Sequence, residues 1–487
     1  MFKTGETYQE SADSRALSMS PGEFRLLEGA NPGPAGVRSR TLFLMVVTGL
    51  AIRLIVMAFM YPQHLVPWHS VPWHFGFEAG RIARSIAQGE GFSSPLIEKT
   101  GPTAWMTPVY PYILAGFFKV FGIYTKAAVL AVLSFNALTS ALTCLPIFFF
   151  ARKSFGTHVA KWAGWTWAFF PYAIYFPIDR IWETWLATLL FALLFMIALK
   201  LERTDRISAW MGTGLLWGLA GLTSAVVVSV LPFLQLRISY LRHKQGRRWL
   251  VPNIVLGLAL MVAVSPWFVR NWRTFHTFIP FRDNMGLVLR MGAKGATSDW
   301  QRDVDYWQPT ELGPWNNPAE VQEFQRDGEL KYMATKKRQA LAFIKTHKNW
   351  YLWTSLRRMV FLWTGYWSLA PAYLKMEPWD PANIAFCSAF TVLAFAGLRR
   401  AWVRRVDSAI FYTIVLLVFP LMYYITSPEF YYRRPLDPMM VVLAVYALTP
   451  SRRLDEPPSL DKVDQASNDR QRTCEDDQLE SELAEPV

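Results

Sequence analysis

One acid, Glu78, stands among basic residues just ahead of an apolar segment, and this junction is the chain's best candidate for chemistry. Glu78, Arg81 and Arg84 recur at helical spacing within FEAGRIARSIA, with apolar residues between them. This pattern predicts a short amphipathic helix that lies on a membrane surface with its charges toward water. A carboxylate held at the edge of a bilayer is suited to act on a lipid-borne substrate.

The composition predicts a membrane setting for this acid. Hydrophobic residues make up 52% of the 487 residues and charged residues only 18%, unlike an ordinary soluble domain. We therefore expect an all-α polytopic membrane protein with about ten to twelve transmembrane helices. Long apolar runs begin at Thr41, Ala127, Ala160, Ile181, Trp210, Leu250, Ile384 and Ala409, and a shorter run spans Met439 to Leu448.

Charge placement predicts which loops share a side of the membrane. Lys and Arg gather in the short loops, which the positive-inside rule assigns to the cytoplasm. Two long polar loops then lie on the opposite, periplasmic side, and we call them the first long loop and the second long loop. The expected boundaries are a cytoplasmic tail (1–40), a membrane domain (41–449) that contains the first long loop (61–107) and the second long loop (271–380), and a disordered acidic cytoplasmic tail (450–487).

Two apolar segments do not fit a simple span. Full crossing by residues 108–121 conflicts with the side assignment of the neighbouring loops, so either this segment is re-entrant or interfacial or one of those loops breaks the positive-inside rule. The run 212–240 is broken near Thr223 and Ser224, which suggests two short helices or one tilted helix. Within the second long loop, residues 352–367 carry paired arginines among tryptophans and predict an interfacial helix, either a lid or an inert cap.

Several classes of chemistry lack support in the sequence. The three cysteines provide neither a disulfide framework nor a cysteine metal site, and no P-loop, dinucleotide-binding glycine motif, serine elbow or HExxH helix occurs. His64, His69 and His74 recur every five residues, a spacing that fits no helix face, so we predict no metal site and no cofactor, with a divalent-metal requirement left open. The net charge of +13 is spread over membrane loops, which argues against nucleic-acid binding.

An ordered series of segments carries a family resemblance. The segments are FEAGRIARSIAQGEGFSSP, GPTAWMTPVYPYILAGFFKVFG, IFFFARKSFG, GLLWGLAGLTS, SPWFVRNWRTFHTFIPFRDNMGLVLRMG and EFYYRRPLDP. From about Thr41 to Leu448 the chain resembles the bacterial branch of the protein mannosyltransferase and aminoarabinose transferase family. The resemblance implies an inner-membrane glycosyltransferase of the C superfold that uses a polyprenyl-phosphate sugar, with a periplasmic active site between the two long loops.

The resemblance gives Glu78 a role as the catalytic base. Many relatives carry an Asp, or an Asp-Glu pair, in the first loop, whereas this chain reads Phe77-Glu78 with no adjacent second acid. The structural alternative is an acid on the helix surface that pairs with Arg81, three residues along the chain.

Candidate substrate-binding residues lie beside the predicted spans. Arginine suits forked contacts with phosphate oxygens, and in the family a C-terminal RxP element lies near the donor site. The alternative is that these arginines reach toward lipid headgroups. The candidates are Arg433, Arg434, Arg270, Asn271, Arg81 and Tyr432.

A second set of charges is more typical of structure than of catalysis. Asp179 and Glu183 share one helix face at the start of a span, and Glu183 is costly to leave unpaired in a membrane. Arg180 or Arg53 is the expected partner of Glu183.

Two functions of different class follow. The first is transfer of a sugar from a polyprenyl-phosphate donor to a glycan, lipid or protein acceptor, with inversion if Glu78 acts as a lone base. The second is transport or flipping of a lipid-linked sugar. A transporter typically has repeated halves and broken helices at the membrane midplane, and the absence of an evident repeat favours the enzyme.

Overall fold

The chain comprises two compact units, residues 1–44 and 45–487. The computed structural model describes residues 39–61, 71, 74–294, 313–315, 317–426 and 430–450. Residues 39–44 of the first unit begin helix α1. The expectations for the N-terminal tail before residue 39, for His64 and His69, and for the acidic tail after residue 450 lie outside the described residues.

The described residues are helical apart from their connections, with one isolated β-bridge between Ser93 and Pro102, which confirms the predicted all-α fold. The helices are α1 (Ser39–Met60), α2 (Phe77–Ala87), α3 (Val109–Phe121), α4 (Lys126–Leu142), α5 (Cys144–Ala168), α6 (Pro171–Asp179), α7 (Thr184–Leu201), α8 (Ile207–Thr223), α9 (Leu231–Lys244), α10 (Leu250–Phe275), α11 (Met285–Lys294), α12 (Pro318–Asp327), α13 (Glu329–Thr346), α14 (Lys348–Thr364), α15 (Pro371–Met376), α16 (Asp380–Val403), α17 (Ala409–Val418), α18 (Leu421–Ile425) and α19 (Asp437–Leu448).

Six helical stretches among the described residues are long and apolar enough to cross a membrane. This makes the chain a multi-pass membrane protein, as predicted. The total of about ten to twelve spans stays a prediction. The stretches are Ser39–Met60, Lys126–Asp179, Thr184–Leu201, Ala225–Lys244, Leu250–Phe275 and Asp380–Val403.

The two irregular apolar segments form short helices. Helix α3 has 13 residues and ends at Gly122, whose φ of 88° suits glycine. At 1.5 Å per residue α3 is about 20 Å long, too short to cross about 30 Å of hydrocarbon. The predicted break near Thr223 is confirmed, because α8 ends there and a 3₁₀ turn (Ala225–Val230) precedes α9.

Helix α2 owes its position to a tight entry turn. Gly76 has a φ of 65°, a left-handed conformation that glycine adopts without strain. A Cβ on Gly80 would lie 1.6 Å from the carbonyl oxygen of Phe75, so only glycine permits this close approach. The Phe75 ring then packs against Phe118 of α3 with centroids 4.8 Å apart. These contacts fix the first turn of α2, which carries Glu78, against α3.

One apolar core cluster joins the parts of the chain that surround α2. It includes Phe75 of the first long loop, Leu114 of α3, Val132 of α4, Trp267 of α10 and Phe324 of α12. Burial of apolar side chains favours this association by roughly 25 cal/mol per Å² removed from water. The two long loops therefore share one core, and the residues that they carry are brought together at its edge.

Close approach of α8 and α10 gives a test of this packing. A Cβ on Gly214 would lie 2.2 Å from the backbone carbonyl oxygen of Leu256, whereas a Cβ on Gly212 of the same helix meets nothing within 4 Å. We expect Gly214→Ala to destabilise the fold by about 1–3 kcal/mol, because α10 must shift. Thermal unfolding in detergent micelles should show a lower midpoint for Gly214→Ala and an unchanged or higher midpoint for Gly212→Ala. Equal midpoints would contradict the packing.

Candidate active site

Glu78 lies where the two long loops meet. It occupies the first turn of α2, its side chain is 8% exposed, and its Oε1 accepts a hydrogen bond from Nε1 of Trp315 at 2.5 Å. Trp315 belongs to the second long loop and lies 237 positions along the chain. The contact therefore brings the two loops together at a carboxylate.

The predicted surface placement of α2 is wrong for its acid and for Arg81. Arg81 is 1% exposed, and its Nη1 donates to the carbonyl oxygen of Pro95 at 2.9 Å. Burial lowers the pKa of Arg81, while the nearby Glu78 carboxylate opposes that shift. The cause is the core cluster, which covers the face of α2 that would otherwise meet water. Arg81 is therefore a buried residue that stabilises the first long loop through its hydrogen bond to Pro95.

A second acid, Glu183, approaches Glu78 from the start of α7. Its side chain is partly buried, and its Oε2 is shielded from solvent without a hydrogen-bond partner among the described residues. The pKa of Glu183 is raised to about 7, mainly by burial and to a smaller extent by the Glu78 charge, while the Arg282 charge opposes the shift. The two carboxyl groups thus belong to one electrostatic site, although no second acid adjoins Glu78 in sequence.

The expected partners of Glu183 are engaged elsewhere. Arg180 pairs with its neighbour Asp179 at 3.0 Å. Arg53 is buried, and its Nε donates to Oγ of Ser140 at 3.1 Å while its other nitrogens bind backbone carbonyls. The prediction that Arg180 or Arg53 partners Glu183 is therefore wrong. Arg53 instead satisfies polar groups between α1, α4 and α5.

Arg282 was missed by the sequence analysis. Its side chain is exposed, and its charge acts on both Glu183 and Tyr423. The ring of Tyr423 in turn stacks on that of Tyr432, with centroids 5.0 Å apart. A cation, two carboxyl groups and a pair of tyrosines thus come together from four distant parts of the chain. No pattern of residue spacing in the sequence indicated Arg282.

The arginines predicted to bind phosphate are bound to protein groups. Nη1 and Nη2 of Arg270 donate to the carbonyl oxygens of Thr103 and Phe92, each at 2.6 Å. Nδ2 of Asn271 donates to the carbonyl oxygen of Ile279 at 2.9 Å. Both residues therefore attach loop backbone to the end of α10, and a role in phosphate binding stays a prediction.

Arg433 and Arg434 are buried beside an acid. Arg434 pairs with Asp437 at 2.7 Å and lies over the ring of Tyr172, while Nη1 of Arg433 donates to the carbonyl oxygen of Leu362 at 3.1 Å. These contacts link the 3₁₀ turn before α19 to α6 and α14. A contact of these arginines with a donor phosphate stays a prediction.

Two further acids, the buried Glu329 and the half-buried Asp283, meet where the two long loops join. Glu329, the first residue of α13, accepts hydrogen bonds from the Thr103 hydroxyl and, at 2.6 Å, from the Ala104 backbone N–H. The backbone N–H of Asp283 donates to the carbonyl oxygen of Ala104 at 3.0 Å. Burial raises the pKa of Asp283 to about 6, and burial together with the Asp283 charge raises that of Glu329 well above its usual range. The pair joins the two long loops and favours a shared proton.

Among the residues that the structure describes, no group of three or more His, Cys, Asp or Glu side chains could hold a metal ion. His64 and His69 are outside that part of the chain.

Residues 105–269, about a third of the chain, match the family model of the dolichyl-phosphate-mannose-protein mannosyltransferases. This match confirms the resemblance over those residues. No curated protein matches the chain.

Three solved structures align with most of this chain. They are an Archaeoglobus fulgidus oligosaccharyltransferase complex with Zn and sulfate (TM-score 0.45, 12% identity, 83% of this chain and 48% of that chain), Archaeoglobus fulgidus AglB with an inhibitory peptide and a dolichol-phosphate (0.42, 13%, 84% and 50%), and Cupriavidus metallidurans ArnT bound to undecaprenyl phosphate (0.35, 13%, 82% and 77%). The chain thus spans about half the length of the archaeal enzymes. At TM-scores below 0.5, these likenesses carry no activity over to this chain.

The pair of Asp283 and Glu329 predicts a pH dependence of stability. The folded-state pKa of Asp283, about 6, lies above its ordinary value of 3.8, so its contribution is fully present below that ordinary value and is lost as the pH rises through about 6. We expect the thermal midpoint in detergent to fall between pH 5 and pH 7. Asp283→Asn should flatten this fall, and the exposed Glu98→Gln should not. An unchanged slope in Asp283→Asn would contradict the shared proton.

Proposed function

We propose that this protein is a membrane glycosyltransferase that moves a sugar from a polyprenyl-phosphate donor to an acceptor, with Glu78 as the general base. The observation that carries the proposal is the Glu78 carboxylate, buried where the two long loops meet and accompanied by a second acid and an exposed arginine. The family match over residues 105–269 supports a lipid-phosphate donor. Because the basic short loops favour the cytoplasm, the site faces the periplasm of a bacterial inner membrane.

Glu78 would act on the acceptor hydroxyl. Its Oε1 is engaged by Trp315, which leaves Oε2 to accept the hydroxyl proton as the acceptor oxygen bonds to the anomeric carbon. The bond from that carbon to the donor phosphate oxygen breaks, and the electron pair leaves with the lipid phosphate. The proton remains on Glu78 until it passes to solvent, so that the step is balanced without a cofactor.

Arg282 is the cation best placed to balance the leaving phosphate. It is exposed and close enough to Glu183 to affect its ionisation, whereas Arg270, Arg433 and Arg434 hold protein groups. Guanidinium groups suit phosphate oxygens because they present several N–H donors in a plane. Arg282 would therefore stabilise the charge that develops as the sugar departs.

Glu183 would serve as a neutral hydrogen-bond donor. Because burial raises its pKa to about 7, much of it is protonated near neutral pH. A protonated carboxyl group is a poor nucleophile, whereas retention of configuration requires a second carboxylate that attacks the anomeric carbon. With Glu78 as the base and Glu183 as a neutral hydrogen-bond donor, the site favours direct displacement with inversion.

Loss of the base tests the proposed reaction. With radiolabelled polyprenyl-phosphate sugar and a membrane extract, we expect Glu78→Gln to lower the transfer rate by on the order of 10²-fold or more while donor binding persists. Glu98→Gln, an exposed change in the same loop, is the matched control. Wild-type turnover in Glu78→Gln would exclude Glu78 as the base. Label that crosses the bilayer while the donor stays intact would instead identify a flippase.

The role of Glu183 predicts a pH effect. In the wild type, the transfer rate should fall as the pH rises through about 7, because Glu183 loses the proton with which it donates a hydrogen bond. Glu183→Gln keeps an N–H donor, so its rate should no longer fall in that range. The measurement is the rate of label transfer from pH 5.5 to pH 8.5. The same alkaline fall in both proteins would contradict the role of Glu183.

A further inference from the structure

We propose that Trp315 is a positioning residue, whose indole N–H fixes the Glu78 carboxylate in the orientation from which it accepts the acceptor proton. This inference rests on the proposed role of Glu78 as the base. It adds a residue of the second long loop to the reaction, although Trp315 itself touches no reacting atom. The base is then preorganised only while the second long loop packs against the first.

The chemistry of the indole suits this task. Its Nε1–H donates to Oε1 of Glu78 at 2.5 Å, and an indole is a donor only. It therefore stabilises the ionised carboxylate without taking the proton that Glu78 must accept. The second oxygen, Oε2, remains for the substrate.

Two features position the indole: an aromatic contact with Trp105 and the space left by Gly313. Its ring meets that of Trp105 edge-on, with centroids 5.8 Å apart, and Trp105 lies 5.9 Å from the ring of Phe324 in α12. A Cβ at Gly313 would lie 2.0 Å from Cζ3 of the Trp315 ring. Gly313 therefore leaves the space that the indole occupies, and a methyl group there would move it.

The first test removes the N–H and keeps an aromatic ring. We expect Trp315→Phe to lower kcat by roughly tenfold, with the KM for the donor changed by less than about twofold, because orientation acts on the chemical step. Arg81 and Glu183 also act on Glu78, but both are present in each protein. The control is Trp353→Phe, which changes an exposed tryptophan of α14.

The second test displaces the indole without altering it. Gly313→Ala should reproduce the loss of kcat, with little change in the KM for the donor, that is expected of Trp315→Phe. A general loss of folding would instead lower the thermal midpoint of either variant and reduce donor binding. A wild-type kcat in Trp315→Phe would overturn the inference.

The third test reads the contact without any turnover. In protein labelled with ¹⁵N-tryptophan, the indole resonance that is missing from Trp315→Phe belongs to Trp315. Its proton signal should move upfield in Glu78→Gln, which weakens the charge-assisted hydrogen bond, and should stay in place in Glu98→Gln. A resonance indifferent to Glu78→Gln would overturn the positioning role. If the signal responds but the wild type transfers no sugar, the proposed function fails and Trp315 is only a structural contact.

Discussion

The arrangement of this site depends on a buried carboxylate that needs a hydrogen-bond donor. An ionised acid removed from water is costly unless it is paired or hydrogen-bonded, and Trp315 supplies such a donor to Glu78. Because the donor lies on the second long loop and the acid on the first, one contact couples the two loops. The apolar core around Phe75 and Phe324 supplies the packing that keeps donor and acceptor together.

The buried arginines follow from the same requirement. Backbone carbonyl groups at helix ends and loop turns lack partners inside a membrane protein, and each unsatisfied group is costly. Arg53, Arg270 and Arg433 each donate to such carbonyls from distant segments. These guanidinium groups thus have a structural function, and the exposed Arg282 becomes the better candidate for a phosphate.

The sequence predicted the helical membrane fold and the break at Thr223, because apolar runs and their interruptions report on such features, whereas the role of Glu78 stays a prediction. It misplaced α2 on a surface, since helical periodicity does not show which neighbours cover a face. It could not find Trp315, which meets Glu78 only through tertiary packing across 237 positions. The contribution of Glu183 was equally hidden, because its altered pKa arises from burial and from charges on other segments.

The roles proposed for Glu78 and Glu183 determine the stereochemistry of the product. If Glu78 is a base and Glu183 a neutral donor, the acceptor attacks the anomeric carbon once. The first-formed product, made by the purified wild-type protein from a donor of known anomeric configuration, can be examined by NMR before it re-equilibrates. We expect the anomeric configuration of the product to be inverted relative to that of the donor. A retained configuration would contradict these roles, because retention requires a covalent or equivalent second displacement.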